Sequence, residues 1–233
     1  MGHESVSPVR PYIQVNIGYV PEEAPLAIAL RNRDLIVPGE PHPPRIDGYL
    51  RKHLGVDEGL MPEAVLKVFY QHLANPRSDN FLAFIEEELH PEIVSRYRVN
   101  ADDVGLFGFS YGGLFSLYAY SAGSTLIKKY GAGSPGILVE GSKLFDLYKQ
   151  YAARNGDKTR DAHVHITWSA FELLGPVGLY RTLGIEAARF HDLMLEHPVP
   201  GVRVTTDMIL NEDHGTGGIQ SYKSFMRTCF PAN

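Results

Sequence analysis

Residues 103–119, Asp-Val-Gly-Leu-Phe-Gly-Phe-Ser-Tyr-Gly-Gly-Leu-Phe-Ser-Leu-Tyr-Ala, leave this chain little freedom in how it can fold. Apolar Val104, Leu106 and Phe107 precede a turn, and Leu114, Leu117 and Tyr118 recur at helical spacing after it, so the segment reads as strand, sharp turn and helix. Ser110 sits at the apex. In the spacing Gly108-x-Ser110-x-Gly112 the serine takes a strained backbone conformation, and small residues are expected at Gly108 and Gly112, where strand and helix nearly touch. The turn thereby pushes the Ser110 hydroxyl outward, to where a substrate can meet it.

The rest of the chain alternates strand-like and helical segments, which predicts an α/β fold with a mostly parallel sheet flanked by helices. Tyr12 to Tyr19 is expected as the first strand, followed by a helix around Phe81 to Leu89 that Pro91 ends or restarts. After the Ser110 helix come a strand near Lys129 to Gly133, a helix from Ser142 to Arg154 and a strand at His163 to Trp168. A helix over 178–196, a strand at Arg203 to Ile209 and a helix from Gly218 to Phe230 close the pattern. Residues 36–62 carry Pro38, Pro41, Pro43, Pro44 and Pro62 with four glycines, and are expected to form a long surface excursion without regular structure. A length of 233 residues, 44% of them hydrophobic, suits one domain spanning 1–233 with a single good core.

Several function classes are disfavoured. A net charge of −5 with no clustered Lys and Arg argues against a nucleic-acid groove. No apolar run is long enough to span a bilayer, and residues 1–20 lack a basic start followed by an apolar stretch, so a cytoplasmic location is the expectation. The single cysteine, Cys229, allows no internal disulfide and reads as a buried thiol in the last helix. His163 and His165 share one face of a strand, but no further ligand at suitable spacing completes a metal site, and no cofactor is expected. Arg31-Asn32-Arg33-Asp34 could bind an anionic substrate or form a structural ion pair, and the sequence leaves both open.

A serine hydroxyl is a poor nucleophile near neutral pH. It needs a base, and the base needs a carboxylate to orient it. His214 meets the first need, because Asn211-Glu212-Asp213-His214-Gly215 follows the last expected strand and precedes the final helix. Glu172, just past the strand at 163–168, is the favoured acid; Asp207 and Asp213 are alternatives. The amide of Tyr111 would donate to the oxyanion, and Tyr111, Trp168 and Phe171 could wall an acyl or aryl pocket.

Taken with Ile17-Gly18-Tyr19 and Arg31 to Leu35, the segments Gly108 to Phe115, Gly133-Ser134-Pro135-Gly136, the loop ending in Glu172 and Asp213-His214 make the chain similar to the Putative esterase family. That family includes ferric-enterobactin esterases and related siderophore trilactone hydrolases. The resemblance covers nearly the whole chain. It implies an α/β-hydrolase fold and a serine carboxylic-ester hydrolase acting through an acyl-enzyme, with Ser110 as nucleophile, His214 as general base and Glu172 in the acid position. Acyl transfer by the same triad and a non-catalytic binding module are the alternatives. Two departures stand out: Phe109 occupies a position where histidine is common in such esterases, with its side chain expected to point away from the reacting carbonyl, and the residues given are expected to start after the family's first strands. The sheet is therefore expected to close differently or to be completed by a second polypeptide, most simply in a homodimer.

Overall fold

A computed structural model describes residues 9–42, 46–53 and 55–232. Pro43 and Pro44 of the expected excursion lie outside the described residues. The described part builds an N-terminal group of helices: α1 (Ala27–Leu35), α2 (Ile46–His53), α3 (Glu63–Ala74), α4 (Ser78–Phe84) and α5 (His90–Arg96). A parallel α/β unit follows: β1 (Val104–Phe109), α6 (Tyr111–Ser121), β2 (Ile127–Gly133), α7 (Lys143–Asn155), β3 (Ala162–Ser169), α8 (Ala170–Leu174), α9 (Gly178–Glu196), β4 (Val202–Ile209) and α10 (Gly218–Cys229). The four strands pair in chain order, β1-β2-β3-β4, all parallel. This is the α/β architecture the alternating pattern predicts, with α6, α9 and α10 against the sheet and α7 packed on α6 and α9.

Helix faces explain the layers. In α9, Ala187, Phe190 and Met194 are buried along one stripe, and they pack with Leu114 and Leu117 of α6 and Val164 and Ile166 of β3 into the main core. On the other side of the sheet, Phe225, Met226 and Cys229 of α10 cover Phe107. Burial there pushes the Cys229 thiol up to about 12, so it stays protonated and inert near neutral pH. A separate cluster joins Ala29 and Ile36 to Val65, Phe69 and Leu73 of α3. Tyr111 packs against both this cluster and the main core, which ties the helical group to the elbow.

Three expectations are corrected. Tyr12 to Tyr19 is not a strand: it is an irregular segment in which Tyr12, Ile13, Val15 and Ile17 are exposed. Its alternating pattern has no adjacent ladder to satisfy, and it is anchored instead by side chains, Tyr222 Oη donating to Gln14 Oε1 at 3.0 Å and Tyr19 Oη to Asp34 Oδ2 at 3.0 Å. Arg31 to Asp34 lie within α1, where Arg33 and Asp34 form an ion pair. The 36–62 excursion contains α2, where Arg51 is ion-paired with Asp47, Asp57 and Glu63. Prolines bracket that helix rather than interrupting it. The helix around 81–89 is longer than expected: α4 runs through a π-type turn at Ile85–Leu89 into α5, and that wider turn immediately precedes Pro91, which lacks the N–H of a regular helix position.

The two strand histidines are satisfied by hydroxyls. His163 Nε2 lies 2.8 Å from Thr205 Oγ1; His165 Nδ1 lies 2.9 Å from the same oxygen, with its Nε2 2.9 Å from Ser224 Oγ. Desolvation lowers both imidazoles from 6.5 to about 4. Between those values the unfolded chain binds more protons than the folded one, so stability should fall as pH drops from about 6.5 towards 4. Urea unfolding at pH 7 and pH 4.5 measures this, and the fall should be shallower in His165→Gln; an unchanged slope in the variant would contradict the assignment.

Candidate active site

The elbow is strained where the sequence places it. Ser110 has φ 57 and ψ −123 at the junction of β1 and α6, a conformation L residues rarely adopt. It is held by Ser110 N–H donating to Gly133 O at 2.9 Å, and by its own carbonyl accepting from Leu114 N–H at 3.0 Å and Gly136 N–H at 2.8 Å. The steric reason for the glycines is narrower than the spacing suggests. A Cβ on Gly108 would stand 2.1 Å from the Gly112 backbone, whereas one on Gly112 would meet nothing within 4 Å. Gly108→Ala should therefore cost about 3 kcal/mol or more, while Gly112→Ala, within α6, should be neutral or stabilising by up to about 1 kcal/mol. Thermal unfolding of the two variants checks this; equal effects would refute it.

Segments at the carboxyl ends of β3 and β4 bring the other two groups to Ser110: Glu172 comes from the short helix α8 rather than from the expected loop, and His214 from the loop after β4. His214 Nε2 lies 3.0 Å from Ser110 Oγ, and His214 Nδ1 lies 2.7 Å from Glu172 Oε1. Glu172 is fully buried, and its second oxygen is also occupied: Oε2 accepts from Ser134 Oγ at 2.9 Å and from Ser169 N–H at 2.8 Å. The Ser169 contact is the carboxylate arm of a capping box at the start of α8, so the fold of that short helix aims the acid. The His214 loop is fixed from within, Asp213 Oδ1 accepting from Gly215 N–H at 2.8 Å and Thr216 N–H at 3.0 Å. Ser169 Oγ donates to Asp213 O at 3.3 Å, tying the acid loop to the histidine loop.

The alternative acids are engaged elsewhere. Asp207 Oδ2 accepts from Ser224 Oγ at 2.7 Å, and Asp213 caps its own turn. Tyr111 opens α6, where a first-turn N–H has no intrahelical acceptor and is free to serve an oxyanion. Its ring lies so close to Gly136 that a Cβ there would meet Tyr111 Cδ1 at 2.6 Å. The two pocket candidates separate: Trp168 packs against the main core, and Phe171 is 54% exposed on α8. The hollow beside Tyr111 is lined instead by residues including Ile36, His42, Leu73 and Leu138. A larger cleft between β4 and α10, about 440 Å³ and lined by Asp207, Leu210, Lys223 and Arg227, does not include the Ser110 cluster.

Two aromatic neighbours of His214 escape sequence reasoning. The Tyr180 ring from α9 stacks at 5.0 Å and 23° to the imidazole, and the Phe109 ring lies at 5.1 Å and 34°. Phe109 thus packs on the histidine. Ser134, in a positive-φ conformation at φ 38, is the other missed contributor, through its bond to Glu172.

Residues 63–165 match the model of the family described as Putative esterase, a stretch that includes Ser110. The chain is 32% identical over 167 residues to the ferri-bacillibactin esterase BesA of Bacillus subtilis (strain 168), covering 71% of this chain and 49% of that protein. It thus spans about half the length of that curated relative. The BES protein of Bacillus cereus shares the fold with a TM-score of 0.59 at 19% identity, over 68% of this chain and 58% of that one. The siderophore hydrolase EstB of Aspergillus nidulans does so with a TM-score of 0.59 at 22% identity, over 68% of this chain and 60% of that one. By its matched segment the chain is similar to the Putative esterase family, and its architecture shares the α/β fold of those solved structures.

Proposed function

We propose that this chain is a serine carboxylic-ester hydrolase working through an acyl-enzyme on Ser110. The observation that carries the reading is the unbroken line of hydrogen-bond distances from Ser110 Oγ through His214 to Glu172. In this reading His214 Nε2 takes the proton from Ser110 Oγ as the oxygen attacks the ester carbonyl. Glu172 accepts from Nδ1–H and offsets the imidazolium charge, and the Tyr111 N–H donates to the oxyanion. The imidazolium then protonates the leaving alcohol. Water, deprotonated by the same nitrogen, attacks the acyl-serine and releases the acid. No metal or organic cofactor enters this sequence.

Hydrolysis is preferred over acyl transfer because the family and the relative named above are esterases. Esters of the siderophore class, including iron-bound trilactones, are the first substrates to test. A panel of these with aryl and alkyl esters, run with and without added alcohols or amines, decides the reaction: free acid should be the product throughout. Exclusive formation of a new ester or amide would favour acyl transfer, and no turnover with retained ligand binding would favour a non-catalytic module.

The aromatic neighbours give a further expected result. A ring stacked on the imidazole restricts its tilt, and a small displacement of a reacting group costs up to about 10²-fold in rate. Tyr180→Leu should therefore lower kcat about 10- to 100-fold with KM little changed, while Tyr180→Phe, which keeps the ring, should stay near wild type. Steady-state kinetics of both variants check this; equal losses in the two would assign the effect to the hydroxyl instead.

A further inference from the structure

The sheet ends on β4. It pairs with β3 on one side, and among the described residues no strand, loop or side chain bonds its outer edge. Natural sheets blunt such an edge with proline, lysine, a bulge or a covering loop, because a row of unpaired N–H and C=O groups is a template for another strand. β4 uses none of these: Val202–Ile209 contains no proline and no lysine, and its register with β3 runs without a shift.

The cleft of about 440 Å³ beside α10 follows that edge, since Asp207, Met208, Ile209 and Leu210 all line it. Successive strand side chains point to opposite faces, so consecutive residues share one cleft only where it opens along the strand's edge. Asp207 Oδ2 accepts from Ser224 Oγ of α10, which sets the face of Arg203, Thr205 and Asp207 towards α10 and leaves Thr206 and Met208 on the other face. The opposite wall is cationic. Lys223 and Arg227 stand about one helical turn apart on α10, both exposed, and among the described residues neither has an ion pair or a hydrogen bond. Arg203, exposed on the same side, is likewise unpaired. Like charges at this helical spacing repel, yet the carboxylate lining the cleft, Asp207, is held by Ser224 instead.

We propose that the outer edge of β4 docks a partner protein, which adds an extended acidic segment as a fifth strand. Main-chain bonds to β4 supply the pairing, and acidic side chains at alternate positions meet Lys223 and Arg227. The spacings agree: four residues along a helix rise about 6 Å, and two residues along a strand about 6.6–6.8 Å. The residues between the acidic ones fall on the other face, beside Met208, which is 46% exposed, and are apolar. Charge also decides against a second copy of this chain. A two-fold pairing of two β4 edges sets both α10 helices on one face of the joined sheet, so it adds a second Arg203, Lys223 and Arg227 to a side already rich in cations.

The test is fluorescence anisotropy of the wild-type chain with the peptide Thr-Glu-Val-Glu-Val-Glu-Val, carrying fluorescein at its N-terminus and an amide at its C-terminus. An exposed ion pair is worth up to about fivefold in affinity. Replacing the glutamates by glutamine should therefore weaken binding about tenfold or more, and so should Lys223→Glu combined with Arg227→Glu. Backbone pairing has its own readout, because alternate residues of an added strand turn their amides to the edge. N-methylation of one alternate set of peptide residues should abolish binding, and N-methylation of the other set should leave it within about threefold. The peptide comparisons use the wild-type chain and stand whether or not the charge-reversed variant folds. No binding at about 1 mM glutamate peptide, equal binding of the glutamine peptide, or equal losses from the two N-methylated sets would overturn the proposal. So would a dimer in light scattering whose β4 edges join through a disulfide in Thr206→Cys, since a second copy would then hold the edge.

Discussion

Replacing Ser110 with alanine should reduce ester turnover by about a million-fold, the loss typical when one member of a cooperating serine triad is removed. The fold should survive, since Ser110 Oγ contributes only its contact with His214 Nε2, while the backbone bonds to Gly133, Leu114 and Gly136 remain. A glycine at the same position should lose activity equally and gain stability. It adopts φ 57 and ψ −123 without a Cβ, relieving strain on the order of 1–3 kcal/mol. Turnover by either variant above about a hundredth of wild type would remove Ser110 from the nucleophile role, and a less stable glycine variant would contradict the strain argument.

Glu172→Gln should lower kcat by roughly 10³- to 10⁴-fold with KM little changed. The geometry gives the reason. Ser134 Oγ and Ser169 N–H both donate to the Oε2 position, so they will hold the glutamine carbonyl oxygen there and turn its NH₂ group towards His214 Nδ1. An amide donor at that point selects the imidazole tautomer with its proton on Nε2, which cannot take the proton from Ser110. Asp207→Asn should be far milder, because Asp207 contacts Ser224 rather than His214. Kinetics of the two variants measured together decide the matter, and a larger effect at Asp207 would move the acid role there.

What the sequence makes legible follows from how local the signals are. The elbow, the strands from Val104 onward and the helices after them were readable because period, glycine spacing and helix faces are properties of contiguous residues. The Glu172 and His214 positions were readable because each follows a strand in the order the chemistry needs, although proximity to Ser110 required the fold. Residues 12–19 misled for a physical reason: alternation shows that a segment could be half-buried in a sheet, but a strand also needs a neighbour to pair with. The α2 helix was hidden by its prolines, which lie outside it, and its ion pairs with Arg51 reach across 12 residues to Glu63. Tyr180 left no local trace at all, because its relation to His214 exists only once α9 packs beside the β4 loop.

The central claim is that His214 and Glu172 activate Ser110 for covalent attack. Intact-mass and peptide analysis after exposure to a fluorophosphonate tests it most directly, since the reagent needs a nucleophilic serine but no matching substrate. The account predicts one adduct per chain, located on Ser110, absent from Ser110→Ala and formed far more slowly in His214→Ala. A wild-type chain that stays unlabelled, or labels elsewhere than Ser110, would contradict it.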